Sequence, residues 1–312
     1  MDRCHSDSET SAAGAVWLAY RGTMRIWRPA DAARHVTVPL EHDDKYSRGV
    51  LGIATGSESY PGAAVLGVDA ALHTGVGMVR YVGPDAAGSL VLQRRPEAVR
   101  ARGRVQAWLI GSGIDAEHRD ASTERALREA FADGVPVVAD AGALDLVVEG
   151  LHRSTGDPGR LIITPHAGEL ARMLGAARVD VVADPVAAAH EAARRWDCVV
   201  LLKGHLTVVA GGDVVVGARA ATPWLATAGA GDALGGVLGA MLATRAARWE
   251  VEPANSADAA ALVELAASAA VVHGIAANRA SGGGPFTVLE LCQHLPQVIA
   301  ELAQLATREP EG

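Results

Sequence analysis

A single acid, Asp232, stands where a run of small residues, Ala228-Gly229-Ala230-Gly231, passes into an apolar helical pattern. A helix start leaves backbone N–H groups without partners and carries the positive end of the macrodipole. Glycines remove the Cβ atoms that would hold an anion away. The stretch therefore suits a phosphate cradle with a carboxylate beside it. An anion-binding turn has no use for a negative charge of its own, so proton abstraction next to a phosphate is a task that fits Asp232. The alternative is an ordinary helix cap at the end of a glycine-rich loop. This stretch alone leaves both open.

Other polar residues with chemical potential follow apolar runs. Lys203 ends one, and a buried lysine needs a partner such as a phosphate, unless it snorkels to the surface. Thr207, four residues on, can offer a hydroxyl to a nucleotide or merely favour a strand. His166 and Glu169, in Thr164-Pro-His-Ala-Gly-Glu169, either cap a helix or touch a ligand. Asp140 could hold a metal-bound water or cap the helix after it. Gly111-Ser112-Gly113 lets a backbone approach a ligand, or simply turns. In Pro61-Gly-Ala-Ala64 a small residue could make room for a flat ring. Lys45-Tyr-Ser-Arg48 reads as a solvated loop, and no HxH or HExxH cluster suggests a protein-held metal.

The elements that must position these groups alternate. Val50 to Thr55 predicts a buried strand, Ala63 to Thr74 a helix stopped by Gly75, and Val76 to Val82 a second strand, which is a βαβ unit. Strands follow at Gln106–Ile110, Val135–Ala139, Leu161–Thr164 and Cys198–Leu202, with helices at Asp120–Asp133 and Asp184–Trp196. Gly211-Gly212 between Leu206–Ala210 and Val214–Gly217 signals a hairpin. Helices are expected from the opening motif to about Thr244, over Ala259–Arg279 and over Val288–Leu302. Residues 1 to about 23 look loose, and Ile26 to Leu40 is a lead-in with a helical turn near Pro29. The favoured architecture is one α/β domain over 45–312, behind an extension over 1–44. Its mainly parallel sheet would bring all the strand-end residues to one edge, where open sheets bind ligands.

Composition narrows the function. With 28 Lys plus Arg against 36 Asp plus Glu, a net charge of −8 argues against broad nucleic-acid binding. At 49% hydrophobic but 4% aromatic, the core must be filled by Ala, Val and Leu. Cys4, Cys198 and Cys292 form no CxxC pair, and reduced cytoplasmic thiols are the simplest expectation. No signal-peptide core is visible, and the apolar stretch Ala259–Ala277 is broken by Glu264 and His273, so no membrane span is expected.

With these motifs assembled, the chain resembles the ADP/ATP-dependent NAD(P)H-hydrate dehydratases, a branch of the ribokinase-like superfamily. Lys45-Tyr-Ser-Arg-Gly49, Ala54-Thr-Gly-Ser57, Pro61-Gly-Ala-Ala64, Thr74-Gly-Val-Gly-Met78, Ile110-Gly-Ser-Gly113 and Asp140-Ala-Gly-Ala-Leu144 carry the likeness. Thr164-Pro-His-Ala-Gly-Glu169, Lys203-Gly-His-Leu-Thr207 and Ala228-Gly-Ala-Gly-Asp232 complete it in the family's order. The departures are Ala167 and Ser112 where the family usually has Pro, and Thr222-Pro-Trp224 where it tends to have Asn-Pro-Gly.

The resemblance implies a ribokinase-like three-layer sandwich. It implies an enzyme that phosphorylates the hydroxyl of (S)-hydrated NADH or NADPH from ADP, or ATP, and eliminates phosphate. Asp232 would be the base, and Ala228, Gly229, Ala230 and Gly231 the phosphate turn. Ala63, Gly113, His166 and Asp232 would contact the hydrate. Lys203, Gly204, His205, Leu206, Thr207 and Gly231 would contact the nucleotide. Mg²⁺ would ride on substrate phosphates. A homotetramer, and a functional link to an epimerase on another chain, are further implications, since residues 1–44 are too short for an epimerase domain. The alternative is a ribokinase-like kinase of a vitamin alcohol, which would share the last motif but have no need of Thr164–Glu169.

Overall fold

The computed structural model describes residues 24–152, 160–219, 221–251 and 258–308. Residues 1–23, expected to be loose, lie outside the described residues. Among those described, nine strands form one sheet: β1 (Arg25–Trp27), β2 (Val50–Ala54), β3 (Met78–Tyr81), β4 (Ala107–Ile110), β5 (Val137–Ala139), β6 (Leu161–Ile163), β7 (Val199–Leu202), β8 (Leu206–Gly211) and β9 (Val214–Arg219). Their order is β1-β9-β8-β7-β6-β5-β4-β2-β3, and only β8 runs antiparallel to its neighbours.

Both faces of the sheet are covered, which is why its central strands, β2 and β4 to β7, are apolar throughout. Period-two alternation sends Leu51, Ile53, Leu109, Val138, Ile162 and Leu201 to one face. There they meet α1 (Pro29–Ala33), α2 (Pro61–Thr74), α3 (Asp85–Arg94), α9 (Ala230–Val251), α10 (Ala259–Ser281) and α11 (Val288–Arg308). Val50, Ile110, Val137, Ile163 and Leu202 point the other way. They pack against α4 (Ala121–Ala132), α5 (Leu144–Val148), α6 (Ala167–Leu174), α7 (Arg178–Ala183) and α8 (Pro185–Trp196). The result is the expected three-layer α/β sandwich. α10 is long and apolar enough to cross a membrane by composition alone, but most of it is buried in this core.

Several elements differ from the sequence expectation. β1 lies in the stretch taken as a lead-in; three residues are too few to show a period, yet Trp27 is buried and its Nε1 donates to Ser268 Oγ at 2.9 Å. α3 was not expected, because Gly88 and Ser89 interrupt its pattern. It is tied to α2 by the fully buried Asp69, which accepts from Arg94 Nε at 3.0 Å and Arg95 Nε at 2.6 Å. The hairpin turn is Gly212-Asp213 rather than Gly211-Gly212, since Gly211 still pairs with Val214. α9 continues past Thr244 to Val251, because Ala246 and Ala247 extend its buried face without a stop signal.

Small residues let α9 lie almost on α2. A Cβ placed on Gly236 would come 2.3 Å from the Gly67 carbonyl oxygen. Gly236→Ala should therefore lower the melting temperature by several degrees, an overpacking cost of about 1–3 kcal/mol, although alanine is the better helix former. Gly62→Ala, whose Cβ meets nothing within 4 Å, should leave it unchanged or slightly higher. Thermal melts of the two variants side by side check this; a stabilised Gly236→Ala would show that the two helices part freely.

Candidate functional site

The C-terminal ends of β4, β5, β6 and β7 are knotted together by one buried carboxylate. Asp140, just after β5, is 3% exposed. It accepts from Ser112 Oγ at 3.0 Å, from Thr164 Oγ1 at 2.9 Å and from Lys203 Nζ at 2.7 Å. Each donor follows a different strand. Asp140 therefore neither caps the following turn, to which its side chain makes no capping bond, nor has both oxygens free for a metal-bound water. The chain leaves it sharply: Ala141 has φ +42°, a left-handed conformation that costs a non-glycine residue energy.

Lys203 finds its expected partner, and it is a protein carboxylate. Burial alone would favour the neutral amine, but Asp140, Glu169 and Asp232 outweigh it and raise the pKa. The ammonium also faces the glycine turn. A Cβ on Gly231 would lie 3.5 Å from Lys203 Nζ. β6 and β7 are bridged at this edge by His166 and Lys203, with Lys203 N donating to Pro165 O at 2.9 Å. Gly204 and His205 then form an exposed turn, and Leu206 and Thr207 open β8 at the same edge.

The glycine turn opens α9. Gly229 has φ +88°, and a Cβ there would strike Leu66 Cδ1 at 2.4 Å, so only glycine fits. Ala233 N donates to Gly229 O at 3.1 Å, which makes Ala230, Gly231 and Asp232 the first three helical residues. Ala230 N is taken by Thr227 O at 3.3 Å; helix geometry gives Gly231 and Asp232 no intrahelical acceptor. The Asp232 carboxylate folds back over this turn, 3.9 Å from where a Gly229 Cβ would stand. Its pKa is pushed up to about 6, first by burial and then by Asp140, while Lys203 pulls the other way. A carboxylate, an ammonium and unpaired amides thus share one small space.

Across the crevice, Ala63 and Gly113 touch. Gly113 has φ +66°, and a Cβ on it would be 2.4 Å from Ala63 Cβ. His166 is a helix cap, as one sequence alternative held. Its Nδ1 accepts from Gly168 N at 3.0 Å and Glu169 N at 3.1 Å, while Glu169 returns a bond to His166 N at 2.7 Å. Capping fixes the tautomer, because an accepting Nδ1 puts the neutral ring's proton on Nε2. The ring is more than half exposed, with its Nε2 3.5 Å from Glu169 Oε1. Capping and ligand contact are therefore compatible. All the sequence candidates reach one edge. The organising role of Asp140 was missed, although its position after a strand in that set was the available signal.

These charges can be tested directly. Carboxyl-carbon NMR should show Asp232 titrating near pH 6. In Asp140→Asn the midpoint should fall, because a nearby negative charge is lost and Lys203 is freed towards Asp232. An unchanged midpoint would mean that burial alone sets it.

Comparison with known proteins shows the family. A family model described as NAD(P)H-hydrate dehydratase matches residues 51–292. Over 297 residues the chain is 37% identical to the bifunctional NAD(P)H-hydrate repair enzyme Nnr of Corynebacterium glutamicum, covering 86% of this chain and 50% of that protein. Over 215 residues it is 34% identical to the ADP-dependent (S)-NAD(P)H-hydrate dehydratase of Neisseria meningitidis, covering 65% and 72%. The crystal structure of an ADP/ATP-dependent NAD(P)H-hydrate dehydratase from Bacillus subtilis, with ATP and Mg²⁺, shares the fold. Its TM-score is 0.74 at 23% identity, over 90% of this chain and 99% of that one. The chain spans about half the length of the bifunctional relatives it matches. By the family match and the identity to its relatives, the chain belongs to the NAD(P)H-hydrate dehydratase family.

Proposed function

We propose that the chain is an ADP-dependent (S)-NAD(P)H-hydrate dehydratase. The observation that carries this reading is the Asp232 carboxylate and the Lys203 ammonium converging on the amides of one helix start. Asp232 takes the proton of the hydrate's hydroxyl as its oxygen attacks the terminal phosphorus of the nucleotide. The phosphorus–oxygen bond to the leaving nucleotide breaks, so ADP departs as AMP. The turn amides and Lys203 stabilise the charge on the moving phosphoryl group. The carbon–oxygen bond of the hydrate then breaks with its electron pair going to phosphate, a ring proton is lost, and the double bond of NAD(P)H is restored. Phosphorylation makes this possible because phosphate leaves far more readily than hydroxide.

Ala63 and Gly113 supply a low wall, bearing only the Ala63 methyl, for the nicotinamide ring, and the half-exposed His166 ring contacts the hydrate beside it. Lys203 to Thr207 receive the nucleotide. Among the described residues no three His, Cys, Asp or Glu side chains form a metal cage. Mg²⁺ fits the site in another way, since it keeps waters and rides on nucleotide phosphates. Asp140 already accepts from three donors; Glu169, beside Lys203, accepts from His166 N and would hold the ion's waters through its remaining lone pairs. When bound, Mg²⁺ would neutralise phosphate charge. Cys198 and Cys292 are buried and in no disulfide, which suits the reducing cytoplasm where we place the reaction.

The test is incubation with hydrated NADH and either ADP or ATP. Return of reduced-nicotinamide absorbance, faster with ADP, is expected; a stable phosphorylated product without that return would identify a kinase instead. Asp232→Asn should lower kcat by about a hundredfold or more while nucleotide binding persists. A base works only unprotonated, and with its pKa near 6 its active form is lost as pH falls through 6. The kcat/KM profile should therefore be flat above about pH 7 and drop on an acid limb near 6.

A further inference from the structure

Trp224 takes no part in the steps above, yet it is 50% exposed on the segment that leads into the phosphate turn. Its ring is held in place. Pro223–Leu225 form one 3₁₀ turn, capped by Thr222 Oγ1, which accepts from Trp224 N at 3.3 Å. The indole Nε1 donates to Gly283 O at 3.3 Å, just past the end of α10. Thr222 N donates to Asn278 Oδ1 on the same helix at 2.9 Å. With the one polar atom of its side chain bonded, Trp224 offers the surface of an apolar ring. Among the described residues no aromatic ring or cation lies over it. The space beside it is open: a Cβ on Gly282 or Gly283 would meet nothing within 4 Å. Covering such a face is favourable, because an indole carries a large apolar area.

The position of this ring ties it to the nucleotide rather than to the hydrate. Leu206 opens β8 at the site edge and pairs with Arg219 at the end of β9. Trp224 lies five residues beyond Arg219 and five before Gly229. Five residues span at most about 18 Å when straight. Here the second five are folded by the bonds Ala226 N to Pro223 O and Thr227 N to Leu225 O. Trp224 thus stands between the strand ends assigned to the nucleotide, Lys203 to Thr207, and the turn assigned to its terminal phosphate. The gap between Ala63 and Gly113 follows β2 and β4, towards the opposite end of the sheet from β8 and β9.

We propose that Trp224 is a stacking shelf for the base of the nucleotide. The indole covers one face of the purine while Lys203 and the turn amides hold its phosphates. Every base has a face that can stack, so the shelf adds affinity for the nucleoside half without choosing sharply among purines. Trp224 has this role only if Lys203 to Thr207 receive the nucleotide, as in the dehydratase reading above, and it would have the same role in a kinase.

Calorimetric titration with ADP and Mg²⁺, with no hydrate present, isolates the base. Trp224→Ala should weaken ADP binding about tenfold, and Trp224→Phe, which keeps a flat ring, should stay within about threefold of wild type. Pyrophosphate has the phosphates and no base, and should bind the wild type and Trp224→Ala alike. ADP binding in Trp224→Ala equal to wild type would overturn the proposal. Equal weakening of ADP and pyrophosphate would overturn it too, since Trp224 would then only shape the phosphate turn. ADP should also quench indole fluorescence in the wild type and not in Trp224→Phe; a full quench in that variant would set the base against another tryptophan. With hydrated NADH, Trp224→Ala should raise the KM for ADP about tenfold with little change in kcat. A wild-type protein that binds ADP through Trp224 but leaves hydrated NADH untouched would refute the dehydratase reading and keep the shelf. No binding of ADP by the wild type would refute both.

Discussion

The site depends on the ion pair between Asp140 and Lys203 at 2.7 Å. Neither charge would survive burial at this edge alone. Removing one member of such a pair leaves the other uncompensated, at a cost of about 3–5 kcal/mol, although the intact pair adds little net stability. Its value here is geometric. Asp140 gathers Ser112, Thr164 and Lys203 from three strands, and with its own position fixes the ends of four neighbouring strands relative to one another. Lys203 is thereby held over Gly231, where its charge meets the amides of the α9 start. Ser112 serves here as a donor to this carboxylate.

The sheet order explains why the crevice is where it is. β2 leads by α2 to β3 at the edge, and the chain then returns past β2 to β4. The helices after β2 and β4 therefore diverge between adjacent strands, a topological switch point at which open sheets bind ligands. Ala63 follows β2 and Gly113 follows β4, and their contact marks this gap. Asp232 comes from a helix that packs across both strands by way of Leu109, Leu51 and the close α2 contact. Asp232 is thus carried by a closely packed helix pair, and the gap is walled by the small residues Ala63 and Gly113.

The sequence exposed most of this because its signals were local. Apolar runs ending in polar residues located β2, β4, β5, β6 and β7 and put His166, Lys203 and Asp140 at one edge before any coordinates. Gly229 and Gly231 announced the turn because a tight helix entry needs residues without side chains. What stayed hidden depended on partners distant in the chain. β1 is a strand only because β9 offers an edge, and α3 is secured by Asp69 of α2. Asp140 read as a cap or a water-holder because nothing local reveals that Ser112 and Lys203 converge on it.

The electrostatics of Asp232 follow from the same construction. A general base on a phosphate turn faces two opposing demands: it must be unprotonated near neutral pH, yet basic enough to accept a hydroxyl proton. Burial and Asp140 raise its pKa, Lys203 lowers it, and the balance near 6 meets both. Asp140 acts twice in this balance. It repels the Asp232 charge directly, and it draws Lys203 into a bond that limits how fully the ammonium can neutralise the base. A site with Lys203 but without Asp140 would still bind phosphate, but its carboxylate would be a weaker base lying against an ammonium. The buried aspartate that locks the strand ends is therefore also one of the groups that raise the Asp232 pKa, so the architecture and the electrostatics cannot be varied independently at this position.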